Sequence, residues 1–143
     1  MPEPDSEQLA VDLGAAVSQL MRHLRAASAE GELTPSQRSA MARLAGGGPT
    51  TTAALARAEL VRPQSMRMTL GALEERELVT RSPHPTDGRQ VVFSLTEEGR
   101  EVLESVRRAK RDWLAVAVAE QLTAGERATL AEATALMRRL VTE

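Results

Sequence analysis

The sequence predicts a mainly α-helical fold that carries one small β-hairpin. Two observations predict it. Apolar residues recur every three or four positions through most of the 143 residues, as one buried face of a helix requires. The exception is the stretch 80–99, where two short β-leaning runs flank a polar loop holding Pro83, Pro85 and Asp87-Gly88-Arg89.

Leu9, Leu13, Val17, Leu20 and Leu24 share one face, so the first helix is expected over about Ser6–Ala29, with Gly31 and Pro35 interrupting it. Thr34-Pro35 opens a second helix, a cap followed by a first-turn proline, which carries Met41 and Leu44. Gly46-Gly47-Gly48-Pro49 is expected to end it. Thr50–Thr52 offer N-caps to a short helix, 53–58, with Leu55 inward. Residues 59–62 have the length of a tight turn, and Pro63 suits the first position of another helix running to about Arg76. In that helix Met66, Leu70 and Leu73 form the apolar stripe, leaving Gln64, Arg67, Met68 and Gly71 on another face.

Two short helices joined by a brief turn make a helix–turn–helix, and residues 78–81 and 90–95 supply a hairpin directly after it. Thr96-Glu97-Glu98 then caps a helix striped by Val102, Val106, Ala109, Trp113 and Val116 to about Glu120. Thr123 opens a last helix with Leu130, Ala133, Met137, Leu140 and Val141. The expected organisation is a long N-terminal helix (6–32), a winged helix–turn–helix (34–99) and C-terminal helices (100–143). The outer helices are long for so small a central module. They either pack on their own chain or form a hydrophobic layer with a second copy, which would set two recognition helices about one DNA turn apart.

Composition narrows the function. With no cysteine, disulfides and thiolate metal sites are excluded. A net charge of −2 argues against a generally basic coat, yet residues 57–90 hold six arginines against five acids, so charge is weak evidence either way. No run reaches the ~18 apolar residues of a membrane span, and the acidic start Met1–Glu7 does not resemble a signal peptide. A cytoplasmic protein is expected.

A DNA reader would use these residue types. Gln64 and Ser65, in the first turn after Pro63, sit where backbone N–H groups attract phosphate. Gln pairs bidentately with adenine, Arg67 with guanine or a phosphate, and Met68 can touch a thymine methyl. Arg89 can enter a narrow minor groove, where the potential is most negative. Asp87 would hold that guanidinium or the turn, and Gly88 permits a positive φ. Thr51 and Arg81 complete the expected DNA-contacting set. The bland alternative is a solvated helix face and a polar turn. His84, between two prolines, reads as an exposed wing residue, with phosphate contact as the alternative. His23 lies beside the first helix's apolar stripe. Two histidines this far apart suggest no zinc site, and Gly46-Gly47-Gly48 lacks the lysine and spacing of a phosphate loop. No nucleophile–base pair is visible, so neither an enzyme nor a cofactor is expected.

Over nearly its whole length the chain resembles the MarR family of bacterial winged-helix regulators. The carrying segments are Leu55-Ala56-Arg57, Val61-Arg62-Pro63-Gln64-Ser65-Met66, Leu73-Glu74-Glu75-Arg76, Leu78-Val79-Thr80-Arg81, Pro85-Thr86-Asp87-Gly88-Arg89 and Leu95-Thr96-Glu97-Glu98-Gly99. The resemblance implies a homodimer with intertwined terminal helices, probing a pseudo-palindromic DNA operator with two winged lobes, usually as a repressor. It also implies a small-molecule effector between lobe and dimer layer, for which Arg22, His23 and Trp113 are candidates. Two departures stand out. The family usually has glycine where Glu77 sits, so Glu77 either bears about 1 kcal/mol for a left-handed cap or ends the helix differently. Gly88 replaces the first arginine of the usual Asp-Arg-Arg wing, which removes a phosphate contact. The rival reading is a winged-helix module that docks on protein rather than DNA.

Overall fold

The computed structural model describes residues 2–28 and 32–142. Helix α1 spans Ser6–Ala27, and Asp5 caps it by accepting the Glu7 amide at 3.2 Å. The expected end at Ala29 and the break at Gly31 lie outside the described residues. Helix α2, Pro35–Gly47, starts on a reciprocal cap: Thr34 accepts the Gln37 amide and the Gln37 side chain accepts the Thr34 amide. It runs on through Gly46 and Gly47 and stops only at Gly48 (φ 76°). Glycine weakens a helix by about 1 kcal/mol without forbidding it, whereas the residue before Pro49 is pushed out of the helical region.

Thr50–Thr51 form a short strand β1, and Thr51 also caps α3, Thr52–Glu59, accepting the Ala54 amide at 3.2 Å. Helix α4 covers Pro63–Glu75, strand β2 Val79–Pro83 and strand β3 Val91–Leu95. The strands form an antiparallel sheet in the order β1-β3-β2, with Thr50 opposite Phe93 and Val79 opposite Leu95. The expected two-stranded hairpin is therefore a three-stranded sheet. Two threonines after a glycine run carry no period-two pattern from which a strand could be read. Helix α5, Glu97–Gln121, is capped by Thr96, and α6, Ala124–Leu140, by the reciprocal pair Thr123 and Glu126. Among the described residues no helix is long and apolar enough to cross a membrane.

Both helices of the helix–turn–helix end on left-handed residues that are not glycine. At the end of α3, Leu60 (φ 55°) donates to the Arg57 carbonyl at 3.3 Å and Val61 to Ala56 at 3.0 Å. At the end of α4, Glu77 (φ 59°) donates to Glu74 at 2.9 Å and Leu78 to Leu73 at 3.0 Å. Each pair of bonds is a Schellman closure, in which the last carbonyls are satisfied by a left-handed turn. Glu77 thus takes the glycine conformation and bears its cost. Replacing Glu77 by glycine is expected to raise stability by about 1 kcal/mol, less the extra freedom glycine gives the unfolded chain. Thermal unfolding checks it: a lower melting temperature would contradict the strain.

The core fills the space between α2, α3, α4 and the sheet, with Met41, Leu55, Met66, Leu70, Leu73 and Val79 its largest fully buried side chains. Leu103 reaches it from α5, and the expected Val102 packs against it half-buried. Gly99, in the first turn of α5, rests on the Leu78 carbonyl so closely that a Cβ would stand 2.1 Å from its oxygen. The outer helices bury little: α1 only Leu24, and α6 nothing. Leu9, Val17, Leu20, Leu130, Met137 and Leu140 are exposed on them. The surface totals 10455 Å², against roughly 7,200 Å² for a compact monomer of this mass.

Candidate nucleic-acid interface

Helix α4 presents the expected face. Met66, Leu70 and Leu73 are buried, while Gln64, Ser65, Arg67 and Met68 are exposed, Met68 at 70% despite its apolar side chain. Every other helix has a side-chain cap, but Arg62 supplies none to α4. Pro63 has no N–H, so the amides of Gln64 and Ser65 open the helix towards solvent, where a phosphate can accept them. A cleft of about 460 Å³ opens between Arg67 of α4, the start of α3 and the sheet; Thr51, Arg67, Arg81, Gln90 and Phe93 are among the residues lining it. Thr51, Arg67 and Arg81 therefore come together.

Arg81 does not extend freely from that cleft. Its Nε and Nη2 donate to Glu74 Oε2 and Oε1 at 2.7 and 2.8 Å, and its guanidinium lies 5.4 Å from the centre of the Phe93 ring. This fork ties β2 to the last turn of α4 and so fixes the angle between helix and wing. The hydrogen bonds from Arg81, with its charge, hold the Glu74 carboxyl below its ordinary value of 4.5. A depressed carboxyl stabilises the fold above its unfolded pKa and loses that contribution as pH falls through the folded one. Glu74→Gln is accordingly expected to lower the melting temperature at neutral pH and to lessen its fall below about pH 4.5. Parallel melting curves for the two proteins across that range would refute the link.

At the wing tip the expected roles are partly redistributed. Asp87 holds the turn and not the Arg89 guanidinium: its Oδ1 accepts the Arg89 amide at 3.1 Å and its Oδ2 the Gln90 side chain at 3.3 Å. Gly88 does not use a positive φ, and a Cβ there would meet nothing within 4 Å. Arg89 is exposed. His84 is not the outward residue the sequence suggests. It is half-buried, and its Nδ1 accepts the amides of Thr86 and Asp87 at 3.2 and 3.1 Å. Flanking prolines signal an exposed loop, and nothing in the sequence signals an inward imidazole.

His23 of α1 stacks on Trp113 of α5, with ring centroids 5.9 Å apart and planes 14° from parallel. Arg22, next to it, is exposed.

The chain matches the MarR family model over residues 33–91, the stretch that contains the helix–turn–helix and most of the wing. It is 43% identical to an uncharacterised HTH-type transcriptional regulator of Mycobacterium bovis over 136 residues, covering 95% of this chain and 94% of that one. It is 33% identical to the HTH-type transcriptional repressor NicR of Pseudomonas putida, covering 69% of this chain and 62% of NicR. Among solved structures, RV1404 of Mycobacterium tuberculosis superposes with a TM-score of 0.86 at 27% identity, covering all of this chain and 99% of that one.

Proposed function

The chain belongs to the MarR family, and from that premise we propose that it represses transcription by binding a pseudo-palindromic operator as a homodimer in the cytoplasm. It is a DNA-binding transcriptional regulator. The observation that carries the binding mode is the pairing of an uncapped, outward-facing α4 with a hairpin that holds Arg89 at its exposed tip. Gln64 and Met68 read base edges in the major groove, Arg67 a base or a phosphate, and the amides of Gln64 and Ser65 grip the backbone. Arg89 enters the minor groove; Asp87 and Gly88 shape its approach. Thr51 and Arg81 border the same cleft, Arg81 by bracing the wing against α4.

Dimerisation is supported by the excess surface: the chain exposes about 3,000 Å² more than a compact monomer would, and the excess is rich in the apolar side chains of α1 and α6. A small-molecule effector would bind beside Arg22 and the His23–Trp113 stack, where a change in the α1–α5 packing alters the spacing of the two lobes.

Arg89→Ala tests the wing. We expect operator affinity to fall by about 1–3 kcal/mol with the melting temperature unchanged. Unchanged affinity in a salt-controlled titration would refute the wing's role, and absence of any salt-sensitive DNA binding by the unmodified chain would favour a protein-docking module.

A further inference from the structure

The wing tip is organised around one ring nitrogen. Backbone amides only donate, so Nδ1 of His84, which faces the amides of Thr86 and Asp87, must carry a lone pair. The Thr86 hydroxyl lies 3.4 Å from the same atom. That arrangement assigns the ring's N–H to Nε2. From there the order passes along the chain. The fixed Asp87 receives the Gln90 amide on its carbonyl at 3.0 Å and the Arg89 amide on its carboxylate, and the His84 amide closes the loop on the Gln90 carbonyl at 3.0 Å. His84 thus holds Thr86 and Asp87 directly, and Asp87 in turn holds the backbone amides of Arg89 and Gln90.

We propose that His84 is a positioning residue for DNA binding, one whose unprotonated Nδ1 shapes the wing that presents Arg89. The proposal rests on the operator-binding reading above. An aspartate or asparagine oxygen at this position would close the same turn, as these residues do elsewhere. Histidine does it with an acceptor that acid removes. Protonation places an N–H against two N–H groups, so the tip opens and Arg89 loses its placement. The other charged side chains of the hairpin are Arg81, Asp87 and Arg89. Arg81 is engaged by Glu74 of α4, and the Asp87 carboxylate accepts the Arg89 amide and the Gln90 side chain within the loop. A direct phosphate contact by His84 would have the opposite sign, because an imidazolium binds phosphate better than an imidazole does.

The experiment compares the unmodified chain with His84→Asn, His84→Ala and Arg89→Ala. The probe is a labelled duplex recovered by selection from random DNA on the unmodified protein, titrated at fixed salt from about pH 8 to about pH 5.5. The expected result has three parts. Asparagine retains the neutral-pH affinity, alanine loses roughly tenfold at every pH, and the unmodified chain loses roughly tenfold on acidification beyond any loss by the asparagine variant. Nitrogen NMR of the free protein should show His84 protonated on Nε2 alone at neutral pH. Tighter binding in acid, parallel pH profiles for the unmodified and asparagine proteins, or a proton on Nδ1 would each overturn the proposal. If Arg89→Ala binds as well as the unmodified chain, the operator-binding reading of the wing itself has failed, whatever the ring nitrogen does.

Discussion

Replacing Gly99 by alanine is expected to destabilise the protein by more than about 3 kcal/mol, a large share of the 5–15 kcal/mol that holds a typical domain together. The added carbon would lie 2.1 Å from the Leu78 backbone oxygen and 3.2 Å from Leu95 Cδ2. The Leu78 backbone cannot give way cheaply. The Leu78 carbonyl already accepts the Thr96 amide at 3.1 Å, and the Thr96 hydroxyl donates to the Glu77 carbonyl at 2.6 Å while capping α5. Moving α5 and its cap away would break the bonds to Leu78 and Glu77 and withdraw Leu103 from the core. The melting temperature should drop by roughly 10 °C or more at equal protomer concentration. Gly125→Ala, in the first turn of α6 with open space around it, is the control and should leave the melting temperature unchanged or raise it. A Gly99→Ala protein that melts with the unmodified chain would show that the junction is not closed as described.

The second large effect concerns α6. Leu130→Glu combined with Met137→Glu is expected to produce a folded monomer of 15.4 kDa whose operator affinity is lower by roughly a hundredfold or more. Both side chains are already exposed in the single chain, and α6 buries no residue within it, so the substitutions remove no internal packing. In the proposed dimer they would remove the second copy, and with it the gain from holding two half-sites at once. Sedimentation and circular dichroism give the test. A double variant that still sediments as the unmodified protein would move the interface elsewhere.

The helices were legible because their signals are local. Thr34, Thr51, Thr96 and Thr123 each announce a helix start, and each caps one. The turn between α3 and α4 and the face of α4 followed from the spacing of Leu55, Met66, Leu70 and Leu73 in the same way. What could not be read depends on partners distant in sequence. Strand β1 exists because Thr50 and Thr51 meet Phe93 and Val92. Arg81, expected to reach DNA, is held seven residues back by Glu74, a pairing that only the fold of the helix–strand corner brings about. His84 turns towards two amides of its own loop, whose direction is set by the backbone and is not revealed by side-chain chemistry. The left-handed conformations of Leu60 and Glu77 are likewise imposed by the helix ends against the residues' own preference.

Those two corners have a consequence for how such a protein can change. Leu60 and Glu77 bracket α4, and neither is among the residues proposed to face DNA. Leu60 is 93% exposed, so its side chain contributes little to packing. A change to glycine at either corner would relax the backbone without altering what α4 presents to a groove. Substitutions at Gln64, Arg67 or Met68 that shift sequence preference at some expense to the fold could therefore be accommodated by relaxing a corner a turn or two away. On the proposed binding mode, stability is adjusted at the corners that flank α4 and specificity on its face, so the recognition surface can diverge while the scaffold that carries it keeps its margin.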